Sequence, residues 1–269
     1  MRTLWVKVLL WGYAAFSMTP LVVMVLSSFR PTSEIFDDPL GLPGSPVFSN
    51  YVKAWTEASF STYVANSVLV VVSAVLLGAA VSLLAAYSLG RRIFRGRSLF
   101  AAYFVSGMTL PAHLGVLPLF YLMESMGLVD SRLGLILVYA AGSIPFNVFV
   151  LTAFFRQLPH ELDEAAALDG AGPFATFWHV MLPLVRPAIA TVVVFQFVPL
   201  WNDFFYPLVL MRDEGKLTLP VGLTNFFGEF QNDWGTLFAG LVMTTIPLVV
   251  LFVVATRQIV AGLTAGMNR

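Results

Sequence analysis

The chain has 269 residues, 58% of them hydrophobic and 11% charged, with fifteen basic and fifteen acidic side chains. A water-soluble domain carries about 25% charged residues, so an aqueous core cannot hold this much apolar side chain and lipid must solvate much of it. The balanced charge gives no basic footprint for nucleic acid. The absence of cysteine excludes disulfides, thiolate metal sites and cysteine nucleophiles, and His113, His160 and His179 lack metal-ligand spacing.

A membrane-crossing helix needs about 20 mainly apolar residues. The first such run is 5–27. Arg2 and Lys7 ahead of its apolar stretch, Val8 to Leu26, also suit a signal peptide, but that stretch outruns the roughly 7–15 residues of a signal core, so a retained helix is expected. Residues 28–62 are punctuated by Pro31, Pro39, Gly41, Pro43, Gly44 and Pro46. A second run, 63–89, precedes the basic GRRIFRGR of 90–97, and a third, 98–122, precedes a break carrying Glu124, Asp130 and Arg132. Runs at 133–155, 187–211 and 237–259 follow, separated by long breaks at 156–186 and 212–236. The expected fold class is an all-α integral membrane protein of about six transmembrane helices forming a single domain over 1–269.

If the runs alternate sides, Arg2, Lys7, Arg91, Arg92, Arg95, Arg97, Arg156, Arg186, Arg257 and Arg269 share one side. Arg30, Lys53, Arg132, Arg212 and Lys216 share the other. Positive charge concentrates on cytoplasmic loops, so both termini and the 156–186 loop are expected in the cytoplasm, with 28–62 and 212–236 outside.

The 156–186 loop divides into two short helices. The first is expected near Pro159, with Glu161, Asp163 and Glu164 at the positive end of its dipole, and it should stop near Gly170. Gly172-Pro173 restarts the chain, Phe174, Phe177, Trp178 and Met181 recur at helical spacing, and Leu182-Pro183 is expected to end the second arm. The residues alone leave two readings open: an amphipathic linker on the lipid surface, or a docking element with an alanine-lined arm that lets another backbone approach.

Glu164-Ala165-Ala166, three residues, Gly170, nine residues, then Val180-Met181-Leu182-Pro183 resembles the EAA loop of ABC importer permeases, with valine in place of isoleucine as the one departure. Trp201-Asn202-Asp203-Phe204 is similar to a segment in the fifth span of carbohydrate permeases of the maltose-transporter type. Thr218-Leu219-Pro220-Val221-Gly222-Leu223, Asp233-Trp234-Gly235 and Gly262-Leu263-Thr264-Ala265-Gly266 resemble the smaller of the two permeases in such systems. Asn66-Ser67 and Leu117-Pro118-Leu119-Phe120 fit as well, so the likeness covers essentially the whole chain; the tail Met267-Asn268-Arg269 is less basic than in many relatives.

The resemblance implies a type I ABC importer permease in a bacterial or archaeal inner membrane. Its implied partners are a second homologous permease, two ATP-binding subunits that carry ATP and Mg, and an extracytoplasmic sugar-binding protein. Glu164, Ala165, Ala166 and Gly170 would then meet the ATPase, with Pro183 structural. Phe226, Phe227, Glu229 and Trp234 would meet the binding protein.

The chain is not expected to hydrolyse ATP or bind a cofactor itself. Lys216 is the only lysine that follows a glycine, and Leu217 stands where a phosphate loop needs Ser or Thr. The HELDE run at 160–164 lacks the second histidine of a zinc helix, and no G-x-S-x-G elbow occurs.

Asp203 is the only carboxylate well inside an expected span. A charge at mid-helix costs about 2.5–3.5 kcal/mol on insertion scales and usually faces a cavity or a partner. The expected pathway residues are Asn202, Asp203, Trp201 and Asn66; bonds to neighbouring helices are the competing reading for Asp203, Asn66, Gln196 and Asn147, and an interfacial position paired with solvent is a further one for Asp203. Pro111, Pro118, Pro145, Pro199 and Pro207 fall inside spans and should kink or weaken them.

Overall fold

The structure is a computed structural model that describes residues 2–57, 59–109, 112–229 and 232–265; of these, the side chains of 2–4, 112, 113, 225, 226, 229 and 256–265 lie outside the description. Pro111, the imidazole of His113 and the tail 266–269 therefore lie outside the described residues, as do the side chains of Phe226 and Glu229. Every regular element among the described residues is helical. The α-helices run α1 Arg2–Ser28, α2 Thr32–Asp37, α3 Ser49–Thr56, α4 Phe60–Arg91, α5 Arg97–Thr109, α6 Val116–Ser125 and α7 Arg132–Gln157. They continue as α8 Glu161–Leu168, α9 Pro173–Thr176, α10 Leu182–Leu184, α11 Arg186–Trp201, α12 Phe205–Leu210, α13 Leu219–Glu229 and α14 Trp234–Ala265.

By length and composition, four stretches can each cross a bilayer: Trp5–Ser28, Phe60–Arg91, Arg132–Gln157 and Trp234–Ala255. The pair Pro173–Leu184 and Arg186–Trp201, bent by 73°, meets the same test together. Two of the six expected runs are therefore not continuous helices. The run 98–122 comprises α5, a 3-10 turn at Ala112–Gly115 and α6. Its sequence carries Pro111 and Pro118, and a proline has no N–H to donate to the preceding turn. The run 187–211 is interrupted at 202–204, so that Pro207 occupies the first turn of α12, where a missing N–H removes no helical bond.

The chain divides into two compact units, residues 1–65 with 218–247 and residues 66–217 with 248–269. In the first, the buried Asn50 amide donates to the carbonyls of Ser28 and Arg30, both at 3.0 Å, satisfying the backbone where α1 has ended. Phe29 packs on Phe48 and Tyr51 with centroids 5.4 and 5.1 Å away. Gly222 lies against the Tyr63 ring and Gly235 against the Arg30 carbonyl, and neither leaves room for a Cβ.

In the second unit α4 and α7 approach closely at small residues. Gly78 faces Ala140 and Ser143, and Gly90 faces the Cβ of Phe155. Within membranes, where apolar surface gains little by leaving lipid, such contacts carry much of helix association. Beside them a core gathers Leu83, Ala86 and Tyr87 of α4, Leu151 and Phe155 of α7, and Phe177, Met181, Val185, Ala188 and Val192 from the stretch leading into α11.

Candidate functional site: a surface hairpin and a polar groove

The first candidate is the hairpin of residues 161–184. Glu161, Asp163 and Glu164 occupy the first turn of α8, as their charge favours. The helix ends in a Schellman motif: the N–H of Ala171 donates to Ala166 O at 2.8 Å and that of Gly170 to Ala167 O at 3.0 Å, with Gly170 at φ +77°. A non-glycine residue in that left-handed region costs about 1–2 kcal/mol. The Gly170 position is thus dictated by backbone geometry, four residues after the buried Ala166. Glu164, Ala165 and Gly170 are exposed, and Leu168 is 90% exposed, so α8 presents a bare face.

The second arm ends where the sequence pattern indicates, within a residue: it runs from α9 through a π-helical turn, Phe177–Met181, into α10 and breaks at Val185, just past Leu182-Pro183. The π turn is what the pattern does not show. The Leu182 N–H reaches back to Phe177 O, and the widened turn just ahead of Pro183 relieves the clash its ring makes with the preceding turn of a regular helix. Phe177 and Met181 are buried, whereas Phe174 and Trp178 stay exposed. Tyr87 of α4 contacts Phe177 at 5.1 Å between centroids and Phe155 at 5.7 Å.

The basic GRRIFRGR run contributes more than charge. Arg91, the last residue of α4, is buried and donates to the carbonyls of Leu158 (2.6 Å), Pro159 (2.8 Å) and Phe155 (3.4 Å) and to the Asp163 carboxylate. Arg97 donates through Nε to Leu89 O at 2.9 Å, capping the same helix end. The positive-charge pattern that sets orientation carries no sign of these contacts; a signal lies in Pro159, which cannot donate to the Phe155 carbonyl and so leaves an acceptor for some other group.

The second candidate is a groove of about 410 Å³ lined by residues including Tyr139, Ser143, Gln196, Pro199, Asn202, Asp203 and Tyr206. Asp203 sits in the break between α11 and α12. Its carboxylate accepts the Tyr139 hydroxyl at 2.6 Å and the Phe205 N–H at 3.1 Å, while Asn202 donates to Val198 O at 2.8 Å. These side chains supply hydrogen bonds that the interrupted helix gives up, as irregular backbone at membrane depth requires. Asp203 therefore both bonds a neighbouring helix and lines a cavity. Trp201 is buried, with its ring stacked on Phe197 at 5.5 Å between centroids, and is not among the residues that line the groove.

Asn66 is also buried, and its amide donates to Gly215 O (3.0 Å) and Leu217 O (2.9 Å). The 212–217 loop it holds is fastened again by Asp130. That carboxylate accepts the N–H groups of Arg212 and Asp213, both at 3.0 Å, and pairs with Lys216 at 2.6 Å. The Lys216 bond first, then the two backbone donors, hold the Asp130 carboxyl well below its ordinary range; the same bond raises Lys216. Of the expected binding-protein contacts, Phe227 and Trp234 are exposed, with the Trp234 indole edge-on to Phe36 at 5.8 Å. Among the described residues no three His, Asp or Glu side chains group as a metal site would require.

Residues 78–264 match the family model described as binding-protein-dependent transport system inner membrane component. A diacetylchitobiose uptake system permease protein of Streptomyces coelicolor is 40% identical over 252 residues, 93% of this chain and 83% of its own. A trehalose transport system permease protein of Mycobacterium tuberculosis is 33% identical, over 95% of this chain and 92% of its own. The solved structure of a bacterial ABC transporter involved in the import of the acidic polysaccharide alginate matches with a TM-score of 0.85 at 27% identity, over 95% of both chains. A second solved structure, of a bacterial alginate ABC transporter in complex with alginate pentasaccharide-bound periplasmic protein, shares the fold at a TM-score of 0.66 and 14% identity, over 94% of this chain and 91% of that one.

Proposed function

The chain belongs to the family of binding-protein-dependent transport system inner membrane components, and from that premise we propose that it forms, with a second homologous permease, the pathway by which a sugar or oligosaccharide crosses the membrane. It is a multi-pass inner-membrane transport subunit and not an enzyme. In this reading the chain crosses six times, two of the crossings being broken helices, with both termini and the 161–184 hairpin in the cytoplasm. Two separate ATP-binding subunits carry ATP and Mg, and an extracytoplasmic binding protein delivers the sugar.

The observation that carries the proposal is the division of labour in the hairpin. One arm is rooted in the membrane domain by Phe177 and Met181, and the other leaves Glu164, Ala165 and Gly170 bare, with no atom near where a Gly170 Cβ would lie. Glu164, Ala165 and Gly170 meet the ATPase in this account. Ala166 packs inward to set the cap, and Pro183 shapes the π turn. Asn202 and Asp203 face the passing sugar, Trp201 supports them from behind, and Asn66 contributes through the loop it fixes. Phe226, Phe227, Glu229 and Trp234 receive the binding protein.

The test is ATP-driven sugar uptake by the reconstituted complex after replacing Glu164 by Ala and Gly170 by Glu together. Uptake should fall by about tenfold or more, within the usual range of coupling between linked sites. Full uptake by the double variant would remove the hairpin from the coupling mechanism.

A further inference from the structure

We propose that Arg91 and Asp163 form the joint through which the docking helix α8 drives the transmembrane helices, an inference that rests on the importer reading above. Arg91 has no exposed side-chain area, and among the described residues its ion-pair partner is Asp163, whose side chain is 29% exposed. A buried cation is tolerated only where it is paired and hydrogen-bonded. Here its other bonds go to Phe155, Leu158 and Pro159, at the carbonyl end of α7, where the helix dipole also favours positive charge. One guanidinium thus ties together the ends of α4 and α7 and the first turn of α8.

The placement of Asp163 gives this tie a direction. Asp163 and Glu164 are consecutive on α8, one engaged by Arg91 and the other exposed on the bare face. A load applied at Glu164 therefore lies one residue from the Arg91 joint. Tyr87 precedes Arg91 by one helical turn and grips the second arm: its ring packs on Phe177 at 5.1 Å, and its hydroxyl lies 3.5 Å from Pro173 O. The last turn of α4 consequently holds both arms of the hairpin, the first by charge and the second by packing. Parting the ion pair would strand the buried Arg91 guanidinium, so this contact resists separation. Arg91 and Asp163 are positioning residues in this scheme; they keep α8 in register with α4 and α7 and touch no sugar.

The experiment compares wild type with Asp163→Asn, Asp163→Glu and Arg91→Lys in the complete importer, reconstituted in vesicles with its binding protein. It reads the yield of ATPase co-purified and the sugar transported per ATP hydrolysed. The inference predicts that Asp163→Asn retains the ATPase subunit but loses at least about fivefold in sugar per ATP, with Asp163→Glu recovering most of it. An unchanged ratio in Asp163→Asn would overturn it. If that variant fails to assemble, the apolar pair Arg91→Met with Asp163→Leu takes its place, since replacing both members of a buried pair is often tolerated. Assembly with a lost ratio then supports the joint. Assembly with a normal ratio, or no assembly, overturns it by leaving the pair a folding role alone. A wild-type chain that brings no ATPase at all would instead refute the importer reading itself.

Discussion

Asp130 shows how a single carboxylate can fix a loop. One oxygen accepts two consecutive backbone N–H groups and the other pairs with Lys216, closing the 212–217 segment onto the start of α7. Because the folded state lowers its pKa from the ordinary 3.8, the stability it contributes is full above about pH 5 and is lost as pH falls through the folded value. Lys216 has the opposite sense: raised above 10.5, its share is full below that value and fades as pH rises through the folded one. The stability difference between wild type and Asp130→Asn, from thermal unfolding in detergent, should stay level from about pH 5 to 9 and shrink below about pH 4. A difference that widens on acidification would contradict this assignment. At the same scale, the sequence exposed Asp203 as the lone carboxylate in a span, because charge in an apolar run is conspicuous. It could not expose Tyr139, which is one aromatic among many until α7 brings its hydroxyl within 2.6 Å.

Among the elements, the long helices α1, α4, α7 and α14 were legible because hydropathy over about 19 residues reports burial in lipid directly. The same averaging hides a backbone break. Pro145 and Pro247 lie within unbroken helices, whereas the run holding Pro207 is interrupted at 202–204. What distinguishes the latter is Asn202 and Asp203, whose side chains take over the lost backbone bonds. The hairpin turn was readable from Gly170 and the end of its second arm from Leu182-Pro183, yet the π turn at Phe177–Met181 was not, since it leaves no mark in apolar spacing.

Helix pairing offers a test of sign. A Cβ at Gly90 would collide with the Cβ of Phe155, while one at Gly12 on α1 meets nothing within 4 Å. Gly12→Ala should therefore stabilise, by up to about 1 kcal/mol of helix propensity. Gly90→Ala should lower stability by about 1–3 kcal/mol through overpacking. Thermal unfolding of the two purified variants in one detergent would check both, and a Gly90→Ala protein as stable as Gly12→Ala would refute the close α4–α7 contact.

At the scale of the molecule, α1 buries none of its apolar window. An apolar stretch left unburied in this way belongs in lipid or against another apolar helix, which accords with a subunit that works within an assembly. The measurement that bears most directly on that claim is recovery of this chain from its native membranes in mild detergent, with mass spectrometry of whatever accompanies it. A second permease and an ATP-binding subunit should come with it, the ATP-binding subunit being lost when Gly170 is replaced by Glu. Recovery of this chain alone, still able to move sugar into vesicles without ATP, would contradict the account.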